Sequence, residues 1–351
     1  MKNLLKIVFI QLFSLFVAFA AGAATMPETE AGTPGIPAYR PLLDGTFIQL
    51  LEQNGNWSRA RWEKLFDSFQ ALGLKQIVVQ WTLHDNRAFF TTKTFEQMPQ
   101  PPLKTILELA EARGIKLYLG LAAESCYWEM IKQTPALQEE YLDRLRWKSE
   151  RVAQEVAAVA TGYNAFKGWY IPEEIDDLTW RPPKERILLY RHLKQLSGFL
   201  KKLTPRGMVV LSSFSNARMD PGSYEAFLDD LLRETPVDVL LFQDGAGGAK
   251  LPRELVPLYL KAARSAADAN GKKLQVVVEL FAEVSESPFR AIPAPISRII
   301  RQLEVADGYT TDGINSFSVP DYMSYEGDAA AMELLRSYQR YKDGGHRAVP
   351  R

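Results

Sequence analysis

The stretch GWYIPEEIDD, Gly168–Asp177, decides how the rest of the chain is read. An apolar, aromatic run (Phe166–Ile171) meets a proline and then four acids: Glu173, Glu174, Asp176 and Asp177. Ionised carboxylates are costly to bury, so a buried strand that ends in four of them implies a site at its end. If strands and helices alternate on either side, that end opens on the mouth of an α/β barrel, where such folds carry their chemistry.

Working outward, the alternation is there. The spacing predicts strands at Thr46–Leu51, Gln76–Thr82, Lys116–Leu121, the opening stretch, Met208–Ser212, Val237–Phe242, Leu274–Leu280 and Gly313–Ser318. Between them, helical periodicity and Gly or Pro punctuation predict helices. They span Asn56 to about Gly73, Leu103–Arg113, Pro135–Ala160, Pro183–Leu203, Ser223–Glu234, Pro252–Ala269, Ile296–Ala306 and Asp328–Tyr341. Eight strands, each followed by a helix, predict a (β/α)8 TIM barrel in the α/β class, a single domain over residues 41–345. The strands are near-continuous Val, Ile and Leu runs, as a parallel sheet covered by helices requires. An open doubly wound sheet shares the alternation and is the rival fold.

Upstream of the barrel, Lys2 and Lys6 flank the start of an apolar run reaching Ala20, and small residues follow through Ala24. Residues 1–24 therefore read as a secretory signal peptide, with an uncleaved anchor as the rival reading. Residues 25–40, with three prolines and two glycines, read as an extended leader. The expected location is periplasmic or secreted, with no stable membrane insertion after cleavage.

Lys+Arg and Asp+Glu both number 42 in the 351 residues, so nothing recommends a nucleic-acid partner. The single cysteine, Cys126, excludes an intramolecular disulfide and a thiolate metal cluster. Three histidines, His84, His192 and His346, are too few to build a histidine metal site, and no cofactor is expected. No G-x-S-x-G elbow is present, and the glycine-rich DGAGG at Asp244–Gly248 lacks the dinucleotide spacing.

The strand ends carry acids, amides and aromatics, with few basic residues. Gln49 follows the first strand, Gln80, Trp81 and His84 the second, Tyr170 and Glu173 belong to the fourth, Gln243 and Asp244 to the sixth, and Phe317 and Tyr322 to the eighth. Amides and carboxylates suit sugar hydroxyls and aromatic faces suit pyranose rings, so these residues are the candidate lining for an oligo- or polysaccharide. Glu279 interrupts the apolar VVVELF at the end of the seventh strand, across the barrel from Glu174. Two such acids flanking a glycosidic oxygen are what glycoside hydrolysis needs. Glu174 is expected as acid/base with a raised pKa and Glu279 as an ionised nucleophile, the two carboxyls about 5 Å apart if the mechanism is retaining. Trp81 is expected partly exposed as a sugar platform, and Trp62 buried.

Acids ending strands four and seven resemble the clan A superfamily of (β/α)8 retaining glycoside hydrolases, whose acid/base and nucleophile occupy those places. Glu173 stands where that superfamily has asparagine. More closely, five stretches resemble a bacterial barrel family catalogued as domain of unknown function 4434. They are GTFIQ (Gly45–Gln49), ALGLKQIVVQWT (Ala71–Thr82), GWYIPEEID (Gly168–Asp176), FQDGAG (Phe242–Gly247) and VVVELF (Val276–Phe281). The resemblance implies the barrel; the functional expectation is a two-carboxylate glycoside hydrolase. The alternative is a carbohydrate-binding or exopolysaccharide-assembly barrel without catalysis.

Overall fold

The computed structural model describes residues 39–286 and 288–344. The expected signal peptide, and all of the leader but Tyr39 and Arg40, lie outside the described residues. Eight strands form one closed barrel: β1 (Gly45–Ile48), β2 (Gln76–Val79), β3 (Lys116–Gly120), β4 (Phe166–Asp176), β5 (Met208–Phe214), β6 (Val239–Gln243), β7 (Lys273–Glu279) and β8 (Ile314–Phe317). Neighbours pair in parallel all the way round. Closure is made by β1 on β8, with Gly45 opposite Asn315 and Thr46 opposite Ser316, which removes the open-sheet alternative. The helices that connect the strands are α1 (Arg59–Leu72), α2 (Leu103–Arg113), α3 (Pro135–Ala160), α4 (Pro183–Leu203), α5 (Pro221–Glu234), α6 (Val256–Ala269) and α7 (Ile296–Asp307), and α8 (Ala329–Lys342) comes after the last strand.

Local chemistry sets these boundaries. Ser58 and Asp220 accept backbone N–H bonds as N-caps of α1 and α5, while Gly73 and Gly114 end α1 and α2 in the left-handed region. Prolines open α3, α4 and α5, where their missing N–H is no loss. In α1, the buried Trp62, Phe66, Phe69 and Leu72 recur at helical spacing and face the sheet.

Period two sorts each strand into two faces. In β7, Leu274, Val276 and Val278 join the large core beneath the helices, and Val277 points into the barrel. Phe47, Val78, Tyr118, Tyr170, Val210, Leu241 and Val277 fill the barrel interior, so it is packed and not a pore. Gln76, Gln275 and Asn315 lie at the N-terminal end and bond to one another, leaving chemistry to the other end. Gly168 (φ +148°) is required where β4 meets β5: a Cβ there would come within 1.9 Å of the Met208 carbonyl oxygen.

Strand β4 covers the expected stretch, running through Pro172 to Asp176. Ile171 pairs with Leu211 and Ile175 with Ser213, so the strand bulges across the proline and the two glutamates. Beyond β7, a hairpin of Phe281–Glu286 and Phe289–Pro293 stands beside the mouth, where no strand was expected.

Candidate active site

Alternation along β7 carries the inward face from Gln275 through Val277 to Glu279 at the mouth. The β6–α6 loop closes over this carboxyl. Gly247 and Gly248 donate backbone N–H bonds to Oε2 at 2.5 and 3.2 Å. Asp244 lies beside it, with Oδ2 accepting from Gln302 and Oδ1 accepting from the amide of Ala246 at 3.1 Å. Arg298 does not pair with the Glu279 carboxylate; its guanidinium donates to the carbonyl oxygens of Ala246, Glu279 and Phe281. Burial and then the Asp244 charge push the Glu279 carboxyl up to about 7, against the two glycine amides and Arg298. Asp244 is itself raised by burial to about 6.

Glu174 continues the inward face of β4 above Tyr170. Gln243, at the end of β6, donates to its Oε1 at 2.8 Å, and Oε2 has no protein partner. The same amide reaches the Ser212 hydroxyl at 3.4 Å, which shares a 2.8 Å bond with the Tyr170 hydroxyl. Burial, opposed by the Gln243 bond and assisted by the charge of Glu279, raises Glu174 to about 8. The charge of Glu279 is thus felt at Glu174. Lys250, half-buried on the β6–α6 loop, opposes the rise, and its own pKa is pushed down by burial.

Glu173 takes the other face. Its Oε1 meets His192 Nε2 of α4 at 2.8 Å, and both side chains are 2% exposed. The remaining acids of the opening stretch are structural fasteners. Asp177 accepts from Ser215 Oγ and from the amides of Asn216, Arg218 and Met219, and Asp176 accepts from the Thr179 amide and the Asn216 side chain.

The mouth holds a cavity of about 40 Å³ bordered by Gln80, Trp81, Glu124, Tyr127, Glu173 and Glu174 among others. His84 also borders it, and burial lowers its pKa, against the charge of Asp85. A wider groove of about 560 Å³ lies on the outer wall between α4 and α5, where Arg191, Lys194 and Arg233 are each paired with an acid. It holds no candidate chemistry.

Of the other expected lining residues, Gln49 is half-buried one residue past β1. Phe317 and Tyr322 pack with Phe281 (ring centroids 6.2 and 5.3 Å) in an aromatic wall beside Glu279. Two placements correct the sequence reading. Trp81 is 3% exposed, its indole N–H donating to the Leu50 carbonyl at 2.6 Å; it borders the cavity but is no open platform. Tyr170 is fully buried in the barrel interior and supports Ser212 from below. Trp62 is buried, 1% exposed. Glu279 departs from the expected low pKa because it is buried with the charge of Asp244 beside it.

Sequence reasoning missed Gly247, Gly248, Ser212, Lys250 and Phe281. The signal for the first two was the DGAGG turn, which reads there as too short for a dinucleotide but whose amides suit one carboxylate. Among the described residues no group of three or more His, Cys, Asp or Glu side chains could hold a metal, and no helix is long and apolar enough to cross a membrane.

The closed parallel barrel, with buried acids at the ends of β4 and β7, defines a (β/α)8 barrel fold. Residues 43–330 match the domain of unknown function (DUF4434), and the chain belongs to that family. It is 31% identical over 264 residues to "Uncharacterized protein YbcH" of Escherichia coli (strain K12), a match covering 73% of this chain and 83% of that one. Among solved structures, a Bacteroides thetaiotaomicron protein provisionally described as an alpha-L-fucosidase superposes with a TM-score of 0.71 at 18% identity, covering 90% of this chain and 99% of that one. A beta-galactosidase from Marinomonas ef1 gives 0.56 at 12% identity, over 85% of this chain and 59% of that one. The intracellular xylanase TsXylA of Thermoanaerobacterium saccharolyticum gives 0.50 at 13% identity, over 85% and 95%. These likenesses concern the fold.

Proposed function

We propose that this chain is a secreted or periplasmic glycoside hydrolase that cleaves an oligo- or polysaccharide with Glu174 as acid/base and Glu279 as nucleophile. The observation that carries the reading is the unequal support of the two buried carboxyls. Glu174 is held by one neutral amide donor in an apolar setting that favours the proton. Glu279 accepts two backbone N–H bonds, which favour the charge. Glu174 protonates the glycosidic oxygen as the bond to the anomeric carbon breaks, and Glu279 attacks that carbon. Water, deprotonated by the now ionised Glu174, then releases the sugar from Glu279. The aromatic wall of Phe281, Phe317 and Tyr322 supplies ring-packing surface beside the nucleophile.

The active form needs Glu279 ionised and Glu174 protonated. With Glu279 at about 7 and Glu174 at about 8, activity should be bell-shaped with its maximum between them. Reducing-sugar release from a polysaccharide panel tests the reading. Glu279→Gln should abolish release, and Glu174→Gln should abolish it on natural glycans while sparing activated aryl glycosides and flattening the alkaline limb. Equal losses on both substrate types would remove Glu174 from its role.

One observation favours the second reading, a carbohydrate-binding barrel without turnover. Glu174 and Glu279 are only 4% and 7% exposed, so a sugar needs the mouth to open before it reaches them. Saccharide binding with no release by the wild-type chain would establish that reading instead.

A further inference from the structure

The bulge of β4 leaves Glu174 without a register partner in the sheet. Pairing with β3 ends at Tyr170, and pairing with β5 passes from Ile171 opposite Leu211 to Ile175 opposite Ser213. Pro172, Glu173 and Glu174 are thus unregistered on both sides, with only Ser212 opposite them in β5. Pro172 also has no N–H to give to a ladder. The place of Glu174 therefore depends on side chains that reach this segment from other elements.

Two such holds act on the backbone of the bulge. From α4, His192 Nε2 shares its 2.8 Å hydrogen bond with Glu173 Oε1, both side chains buried. His192 lies on the buried face of that helix with Leu189, Leu193 and Leu196, so its ring is held by packing. From the β3–α3 connection, the Tyr127 hydroxyl donates to the Glu174 carbonyl at 3.2 Å, and its ring packs on Tyr141 of α3. Replacing a buried ionisable pair by apolar side chains often costs no stability, so what the Glu173–His192 pair supplies is a fixed place for the chain. Glu173 is tied to α4 and its neighbour Glu174 to Gln243 of β6, so the outward contact anchors what the inward one presents.

We infer that His192 and Tyr127 are positioning residues for Glu174, His192 acting through Glu173 and Tyr127 through the Glu174 carbonyl. Together they hold the bulge so that the Glu174 carboxyl stays buried and bonded to Gln243. The inference rests on the acid/base reading of Glu174 and adds the groups that set its geometry. Freed of either hold, the unregistered residues shift, and a misplacement of about 1 Å can cost a catalytic group about a hundred-fold in rate. The shifted carboxyl also meets water and loses the raised pKa that burial gives it.

The test uses the full chain and two readouts. The first is kinetic. His192→Leu, which nearly keeps the volume and removes the hydrogen bond, should lower kcat on natural glycans about ten-fold or more and leave KM within about two-fold. Activated aryl glycosides, which need no proton, should lose about three-fold at most. His192→Gln, whose amide can donate to Glu173, should recover most of the loss, and Tyr127→Phe should repeat the pattern of His192→Leu. The second readout is the titration of the Glu174 carboxyl by carbon NMR, its resonance assigned by its absence from Glu174→Gln. The charges acting on Glu174 are Glu279 on β7, Asp176 on β4 itself and Lys250 on the β6–α6 loop, and the variants keep all three. Glu173 left unpaired would push Glu174 up, so a fall of about one pH unit or more in His192→Leu reports displacement and not charge. Equal losses on both substrate types, or a Glu174 titration that stays or rises, overturns the inference. If His192→Leu fails to fold, Tyr127→Phe, which removes a single hydroxyl, decides by the same readouts. A fall in the titration when the wild type hydrolyses no glycan leaves the positioning role standing and removes the hydrolase reading. Hydrolysis by the wild type with an unmoved titration in the variants does the reverse.

Discussion

Gly247 shows how one missing side chain serves a carboxylate. A Cβ built there would lie 2.8 Å from both Glu279 Oε2 and the Phe281 ring, so only glycine lets the amide reach the Glu279 carboxylate. Gly247→Ala should therefore displace Glu279 and lower kcat at least ten-fold. The stability cost of such overpacking is about 1–3 kcal/mol, so the variant should remain folded at room temperature. Turnover measured beside thermal melting checks this; full kcat in a folded variant would mean that the glycine amides do not set the nucleophile. Trp81 shows what a sequence withholds at this scale. Its place at the end of the second strand was legible, because period and punctuation fix strand ends. The direction of its indole was not, since that depends on the Leu50 carbonyl, which the fold brings to it from another strand end. Glu174 and Glu279 were legible for the opposite reason: a charge inside an apolar run is anomalous in the sequence itself.

At the scale of elements, the helices α2, α3 and α4 run over the residues expected of them, because Gly114 and the prolines at 135 and 183 mark their ends by backbone chemistry alone. Strand β4 was expected over the opening stretch, but its bulge was not. Pro172 and four acids argue locally against a strand, yet pairing with β5 resumes beyond the bulge and holds the segment extended to Asp176. The hairpin after β7 was missed altogether, since its Val284 and Ile292 are exposed and supply no buried period. The acids of β4 and the turn beyond it divide the labour, and Asp177 takes the structural share. It gathers four donors from the turn after β5, at 2.6 to 3.0 Å, and fixes that turn against the mouth. Asp177→Ala leaves three backbone N–H groups without their acceptor and should cost about 3 kcal/mol or more in chemical denaturation. A change within about 0.5 kcal/mol would show that water replaces the carboxylate there and that the turn does not depend on it.

For the whole molecule, the concentration of acid at one end of the barrel sets how stability depends on pH. Burial raises four carboxyls at or near the mouth: Asp176 and Asp244 to about 6, Glu279 to about 7 and Glu174 to about 8. In the unfolded chain the same groups titrate near 3.9 for Asp and 4.3 for Glu. Between those limits the folded state binds more protons than the unfolded one, so the free energy of unfolding falls as pH rises. The contribution of each group is fully present below its unfolded pKa and is lost as pH passes through the folded value. Stability should therefore be higher at pH 5 than at pH 8, by an amount on the order of a few kcal/mol, and should level off above about pH 8. Melting temperatures recorded across that range at constant ionic strength check the sign. The Glu174→Gln variant identifies the source, because an amide has no proton to release: its melting temperature should fall less between pH 7 and 8 than that of the wild type. A melting temperature that climbs from pH 5 to 8, or a variant that tracks the wild-type curve through the upper part of the range, would show that Glu174 does not carry its proton in the folded protein. The acid/base role assigned to it would fall with that result.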